Sequence, residues 1–439
     1  MTSATQSRDG NRASHMVLAL LVGGYASTFI GRQIMSVMIE PIKLEFAATD
    51  SAMGLISGLA FAGIYALMGL PAGRLADRHS RVRLLALSAA LWSLTTLLCG
   101  LATGFYTLVI ARMLVAITEA PVTPASLSLI ADLYSPRNRS LAISCFTAAP
   151  TLSAILGLSV GAWVIEQYGW RIGFYLVATP PLLVSLLLAV AVKEPPRGRF
   201  DLGHPPPQTR QSLWQAARQL LANGHYRKLV IACALFSFSG YAFAMWNTSF
   251  LIRSHGLSLQ NAGILGGVVA GVAAALGGIF SGWLTDRLNV SSQAWLLGIP
   301  MIGQALALLS MVLYLLWPAG VAFQLGELMV PTAVFWCAIM SFFTMWWAAP
   351  CFNLLTQLVS PHQRATAIAL QTICTTLAGV GFGPLLTGAL SDLLVPLSGA
   401  ESLRHAMLLV HLSLLIPLVI LLQLFQQEAF SPAQALHTN

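Results

Sequence analysis

Runs of about twenty apolar residues recur along almost the whole chain, each broken only by a short polar segment. Twenty residues of α-helix rise about 30 Å, the depth of a bilayer's hydrocarbon core. Hydrocarbon offers no water to satisfy an open backbone, so such runs must close their hydrogen bonds internally as helices. Composition agrees, with 56% of residues hydrophobic and 9% charged, where a soluble domain carries about 25% charged residues. So few charges cannot cover a water-facing surface, and the chain reads as an all-α membrane protein.

The runs give twelve candidate spans. Six fall at 16–38, 52–72, 84–102, 104–128, 140–164 and 172–192, and six at 228–252, 261–284, 294–316, 328–352, 364–390 and 404–426. Between the halves lies a proline- and arginine-rich segment in which SLWQAARQLL reads as an interfacial amphipathic helix. The expected organisation is therefore a six-helix bundle at 1–192, a cytoplasmic linker at 193–227 and a second six-helix bundle at 228–439.

Charge sets the expected orientation. With the N-terminus in the cytoplasm, seventeen of the 23 Lys and Arg fall on the cytoplasmic side and four (Lys43, Arg171, Arg253, Arg404) on the outer side, leaving Arg32 and Arg112 inside spans. That asymmetry follows the positive-inside rule and predicts both termini in the cytoplasm, in an inner-membrane protein. It also accounts for the net charge of +8 without a nucleic-acid partner. Arg32 interrupts the first apolar run and no convincing A-x-A site follows an h-region, which argues against a cleaved signal peptide. The six cysteines sit within apolar runs without CxxC spacing, as small hydrophobes rather than metal ligands or a disulfide framework. His411 is the one histidine well inside a span, with no acid beside it, so no catalytic set, metal or cofactor is expected.

Fourteen of the fifteen acids fall in loops or at span ends, and Glu119 alone lies deep in an apolar run. With Arg32 and Arg112 it makes three strongly ionisable groups at membrane depth, each costing about 2.5–3.5 kcal/mol to insert. Arg112 and Glu119, seven residues apart on span 4, share a face but are separated by about 10 Å of rise. Glu119 is therefore expected to pair with another helix, and Arg32 is the best candidate. The plain reading is an inert buried ion pair. The functional one has Arg32 and Arg112 binding a carboxylate or phosphate head group while Glu119 carries a proton. Tyr241, Trp246, Asn247, Trp346, Asn353 and Gln371 are further candidates for lining a substrate cavity, whereas Trp283 and Trp317 read as members of the interfacial belt. The glycines of span 8 read as sites of close helix packing.

Two pairs of loops mark the halves as copies. GRLADRHSRVR (73–83) after span 2 matches GWLTDRLNVSS (282–292) after span 8, and LYSPRNR (133–139) after span 4 matches LVSPHQR (358–364) after span 10. Such matches define a parallel repeat about an axis along the membrane normal. The first loop resembles the signature of the major facilitator superfamily. RQIMSVMIEPIK, GLISGLAFAGIYALMGLPAGRLADRHSR, SFLIRSHGLSL and GFGPLLTGALSD resemble its bacterial Spinster-like branch, close to the anion:cation symporters.

The resemblance implies a secondary transporter working by alternating access on a small organic anion or a lysolipid-like anionic amphiphile. It implies spans 1 and 4 as neighbours, and Gly73, Asp77, Arg78, Arg81, Asp286 and Arg287 as gating residues, with Gly73 allowing close backbone approach. Arg32, Arg112 and Glu119 match the family's arginines and glutamate, but Gly31 stands where relatives usually carry an aspartate. Coupling then rests on Glu119, or the protein is an uncoupled facilitator or a drug/amphiphile exporter. Span 5, AAPTLSAILG, lacks the full Gly-Pro-x-x-Gly-Gly pattern of many drug/proton antiporters. A non-transporting sensor is the alternative of another class. The transporter is expected to act as a monomer, with the bilayer, its substrate and protons as partners.

Overall fold

The computed structural model describes residues 2–197, 213–359 and 363–429, almost all of them helical. The linker basics Arg199 and Arg210, and Ser360 and Pro361 of the second loop repeat, lie outside the described residues. Eleven stretches among the described residues are long and apolar enough to cross a membrane. The last, Thr366–Gln427, has 62 residues and would run about 93 Å if straight, far beyond one crossing. It breaks at Gly399, whose φ of +53° ends the helix at Ser398 before another begins at Ser402. That stretch therefore makes two passes, here spans 11 and 12.

The chain forms two compact units, Met1–Ala48 with Ala60–Gln208, and Thr49–Leu59 with Thr209–Asn439. The first turns of span 2 thus fall in the second unit.

In the first unit, span 1 (Ser14–Phe46) packs along span 5 (Pro136–Tyr168), and span 3 (Arg81–Gly100) along span 6 (Trp170–Ala191). Lipid is as apolar as leucine, so close packing and cross-helix hydrogen bonds must hold such helices together. An added Cβ at Gly161 would lie 2.9 Å from Ile34 Cγ1, and one at Gly100 2.4 Å from Tyr175. Serine hydroxyls stitch the same seams, from Ser153 to the Ala26 carbonyl (2.8 Å), Ser93 to Ala178 (2.7 Å) and Ser185 to Ala86 (2.6 Å).

The second unit holds spans 7 (Gly224–His255), 8 (Leu259–Asn289), 9 (Trp295–Leu316) and 10 (Val334–Gln357), spans 11 and 12, and the linker helix Leu213–Ala222. A Cβ at Gly277 of span 8 would fall 1.8 Å from the Phe342 carbonyl of span 10, so this glycine sets their approach. Residues 49–59 pack against span 11 in the same way, for a Cβ at Gly54 would fall 2.4 Å from the Pro384 carbonyl and one at Gly388 2.2 Å from that of Asp50. The expected start of span 10 at residue 328 is corrected. Leu328–Pro331 is strand β2, paired antiparallel with β1 (Val321–Leu325). The apolar run continues through the hairpin, and Gly326 (φ +60°) at its turn was the overlooked signal.

The repeat is visible in backbone detail as well. Span 2 opens on a Thr49 cap and turns π-helical at Leu55–Leu59; span 8 opens on a Ser258 cap and turns π-helical at Leu265–Ala270. These are the two helices that carry the matching signature loops.

Candidate functional site

Pro121 and Pro124 lack backbone N–H groups, and the helix of span 4 breaks between Glu119 and Val122 as a result. Glu119 therefore sits at the break, in the first unit, and is 3% exposed. Arg32 of span 1 donates from Nη2 to Glu119 Oε1 at 2.5 Å, the pairing that the spacing suggested. The Arg32 guanidinium also lies 4.9 Å from the Phe29 ring and 4.8 Å from those of Phe61 and Tyr65. Delocalised charge suits such stacking. The Arg32 side chain keeps 19% of its surface open.

Arg112 is more enclosed, at 3% exposure. Its Nη1 lies 3.5 Å from the Gly31 carbonyl, and its guanidinium 5.4 Å from the same Phe61 ring. Among the described residues, Arg112 Nε and Glu119 Oε2 find no hydrogen-bond partner. Of the two guanidiniums, that of Arg32 meets the Glu119 carboxylate. A Cβ at Gly31 would lie 3.1 Å from Trp92 and 3.4 Å from Val177, so Trp92 fills the space beside that backbone.

The aromatic surround was missed from sequence. Its signal was there, since Tyr25 and Phe29, and Phe61 and Tyr65, are each spaced i, i+4 and share a helix face.

The second unit uses its polar candidates in several ways. Trp246 is fully buried and donates to the Pro384 carbonyl at 3.0 Å, tying span 7 to span 11. Asn247 accepts from Tyr314 at 2.6 Å, tying span 7 to span 9. Trp346 packs over Gly303 and is 6% exposed. Gln371 is fully buried, with neither amide atom partnered among the described residues. Asn353 accepts from Gln357 at 2.9 Å, and Tyr241 is 37% exposed.

A second set in this unit was read from sequence only as loop charge. Asp50, 2% exposed at the start of span 2, is bonded bidentately by Arg253 at 2.7 and 2.8 Å and by Ser391 at 2.7 Å. Asp392 accepts from the Asp50 and Ser51 amides at 3.0 and 2.8 Å and from the Ser51 hydroxyl at 2.5 Å. A carboxylate from span 11 thus caps the orphan N–H groups of span 2.

Of the gating candidates, Arg81 is buried in the first unit and bonds Asp132, Glu194 (2.7 Å) and the carbonyls of Ser128 and Pro195 (both 3.1 Å). Arg197 donates to the carbonyls of Ala76 (2.8 Å), Asp77 and His79 (2.6 Å) at the end of span 2. Burial works against the Glu194 carboxylate, but the Val82 amide, Arg81 and Ser80 outweigh it and hold its pKa below the ordinary 4.5. Asp77, Arg78, Asp286 and Arg287 are exposed. The expected close approach at Gly73 is corrected, since an added Cβ there meets nothing within 4 Å among the described residues.

Membrane-spanning helices, an internal repeat and ionisable groups held at membrane depth define a polytopic transport protein. The sequence matches the model of the Major Facilitator Superfamily over residues 21–384. It is 30% identical to an MFS-type efflux pump of Mycolicibacterium smegmatis, covering 92% of this chain and 90% of that one. It is 25% identical to the sphingosine-1-phosphate transporter SPNS2 of Danio rerio, over 94% and 82% of the two chains. Among solved structures, a bacterial homolog of the human lysosomal transporter Spinster, inward-facing and unoccupied, superposes with a TM-score of 0.84 at 27% identity, covering 96% of this chain and 99% of that one. The chain belongs to the major facilitator superfamily, and its likeness within it is to Spinster-like members. It is a membrane transporter, not an enzyme.

Proposed function

We propose that the protein is a proton-coupled carrier of an anionic amphiphile, phosphate- or carboxylate-headed, with Glu119 as the proton-carrying group. The observation that carries this reading is the Arg32–Glu119 ion pair, part-open at Arg32 and closed at Glu119. While Glu119 is ionised it occupies Arg32. A proton on Glu119 cancels the charge and leaves the Arg32 guanidinium to an anionic head group, with Phe29, Phe61 and Tyr65 offering apolar surface to the tail. Loss of the proton restores the pair and expels the anion. Proton and anion are therefore taken up and released together through one arginine.

The name of one relative, a sphingosine-1-phosphate transporter, supports an amphiphilic cargo. In this reading the bundles at 1–192 and 228–439, joined by the linker at 193–227, work by alternating access. Asp77, Arg78, Arg81, Asp286 and Arg287 serve the change of state, and both termini lie in the cytoplasm of a monomeric inner-membrane protein.

The test uses liposomes containing a trapped pH indicator, with a lysophosphatidate or sphingosine-1-phosphate gradient as probe. Wild-type protein should move protons with the lipid, and Glu119→Gln should bind lipid yet move no protons. Lipid flux without proton movement in the wild type would favour an uncoupled facilitator, in line with Gly31 at the position of the second acid. Neither flux nor binding would reject the reading.

A further inference from the structure

We propose that the β1–β2 hairpin between spans 9 and 10 is a membrane-interface element, with Phe323 and Leu325 seated at the boundary of lipid head groups and acyl chains. The pairs Phe323–Val330 and Leu325–Leu328 stand directly opposite each other, which puts four apolar side chains on one face of the ribbon. The pair Gln324–Met329 lies on the other. Its own bundle covers part of the apolar face, for Val330 is 9% exposed. Phe323 and Leu325, on the outer strand, are 54% and 64% exposed.

Three hydrogen bonds fix where the ribbon lies. At its base Trp317 donates to Thr332 Oγ1 at 3.1 Å, and the Thr332 amide to the Gly320 carbonyl at 2.9 Å. At its tip Asn261 donates to the Glu327 carbonyl at 3.0 Å. Trp317 follows the last residue of span 9, and Asn261 sits in the first turn of span 8. Both anchors are span ends on one face of the unit, so the ribbon runs along the plane of the helix ends. That plane is head-group level, where tryptophan is enriched. Trp317 and Trp336, with rings 5.6 Å apart, stand at the ribbon's base.

A bare hairpin with an apolar edge is marginally stable in water and recruits other strands. At the interface the same edge is served on both counts. The outer strand's unpaired backbone groups reach water and head groups, while Phe323 and Leu325 enter the acyl boundary. The β-bulge between Val321 and Phe323 further blunts the edge against pairing with a second copy.

The experiment places a polarity-sensitive NBD label at Phe323→Cys or Gln324→Cys in the full chain, reconstituted in phosphatidylcholine–phosphatidylglycerol vesicles. Cys145 and Cys374, the two native thiols that are not buried, are replaced by serine. At position 323 the emission should be blue-shifted, with several-fold stronger quenching by a lipid nitroxide near the head group than by iodide. At 324 iodide should quench more strongly. Equal iodide quenching at both positions would overturn the proposal. So would shielding at 323 that vanishes on dilution to one copy per vesicle, which would assign the face to a second copy. Should Phe323→Cys fail to fold, Leu325→Cys gives the same reading.

Discussion

Arg112 is the residue whose surroundings differ most from what its place in the sequence suggests. The sequence reading aims both arginines at a ligand. In the structure Arg32 holds the carboxylate and the open surface, while Arg112 lies enclosed against Phe61 and the Gly31 carbonyl. An ion taken out of water without full compensation costs several kcal/mol, so Arg112 burdens the fold. Arg112→Met should therefore raise the melting temperature in detergent. A lower melting temperature would show that the charge is compensated. Arg32→Met should weaken binding and lower stability together, because it strips Glu119 of its hydrogen-bonded countercharge. The pairing itself was legible, since one deep acid and two deep bases have few ways to combine. Arg32 as the partner was legible too, but which arginine keeps an open surface was not, because helical spacing gives the face but not the depth of a neighbour's side chain.

Among the helices, the first turns of span 2 are held by charge as well as by packing. Asp50 carries a bidentate arginine, and Asp392 caps the helix that Asp50 begins. Removing one partner of a buried ion pair costs roughly 3–5 kcal/mol. Arg253 keeps 17% of its side chain exposed, so Asp50→Asn should cost less than that but still lower the melting temperature measurably. Asp50→Asn combined with Arg253→Gln should cost less than the sum of the two single changes, the mark of direct coupling. Strict additivity would deny that the pair acts as a unit. Gly388→Ala tests the packing separately, because its Cβ would meet the Asp50 carbonyl at 2.2 Å and overpacking of this kind costs about 1–3 kcal/mol. Span identity was readable from apolar length. These tertiary partners, more than 200 residues apart in sequence, were not, and neither was Gly277 among the several glycines of span 8.

For the molecule as a whole, two copies of a six-span plan are joined by a linker whose first residues are strapped to the first unit. Glu194 reaches Arg81 and the start of span 3, and Arg197 covers the carbonyls that end span 2. The strap makes stability depend on pH, with a definite sign. The Glu194 pKa in the fold is depressed below the ordinary 4.5. A group bound more tightly as its anion contributes stability that is fully present above the unfolded value and lost as pH falls through the folded one. Wild type should therefore melt above Glu194→Gln at neutral pH, and the gap should close only as the pH drops below about 4.5. A gap that stayed constant down to pH 3 would mean that Glu194 acts through packing rather than through its charge. Arg81→Lys would separate the two sources further. Lysine keeps the charge but cannot reproduce a fork that bonds Asp132, Glu194 and two backbone carbonyls at once. Its melting curve should consequently fall near that of Glu194→Gln at neutral pH rather than near that of wild type.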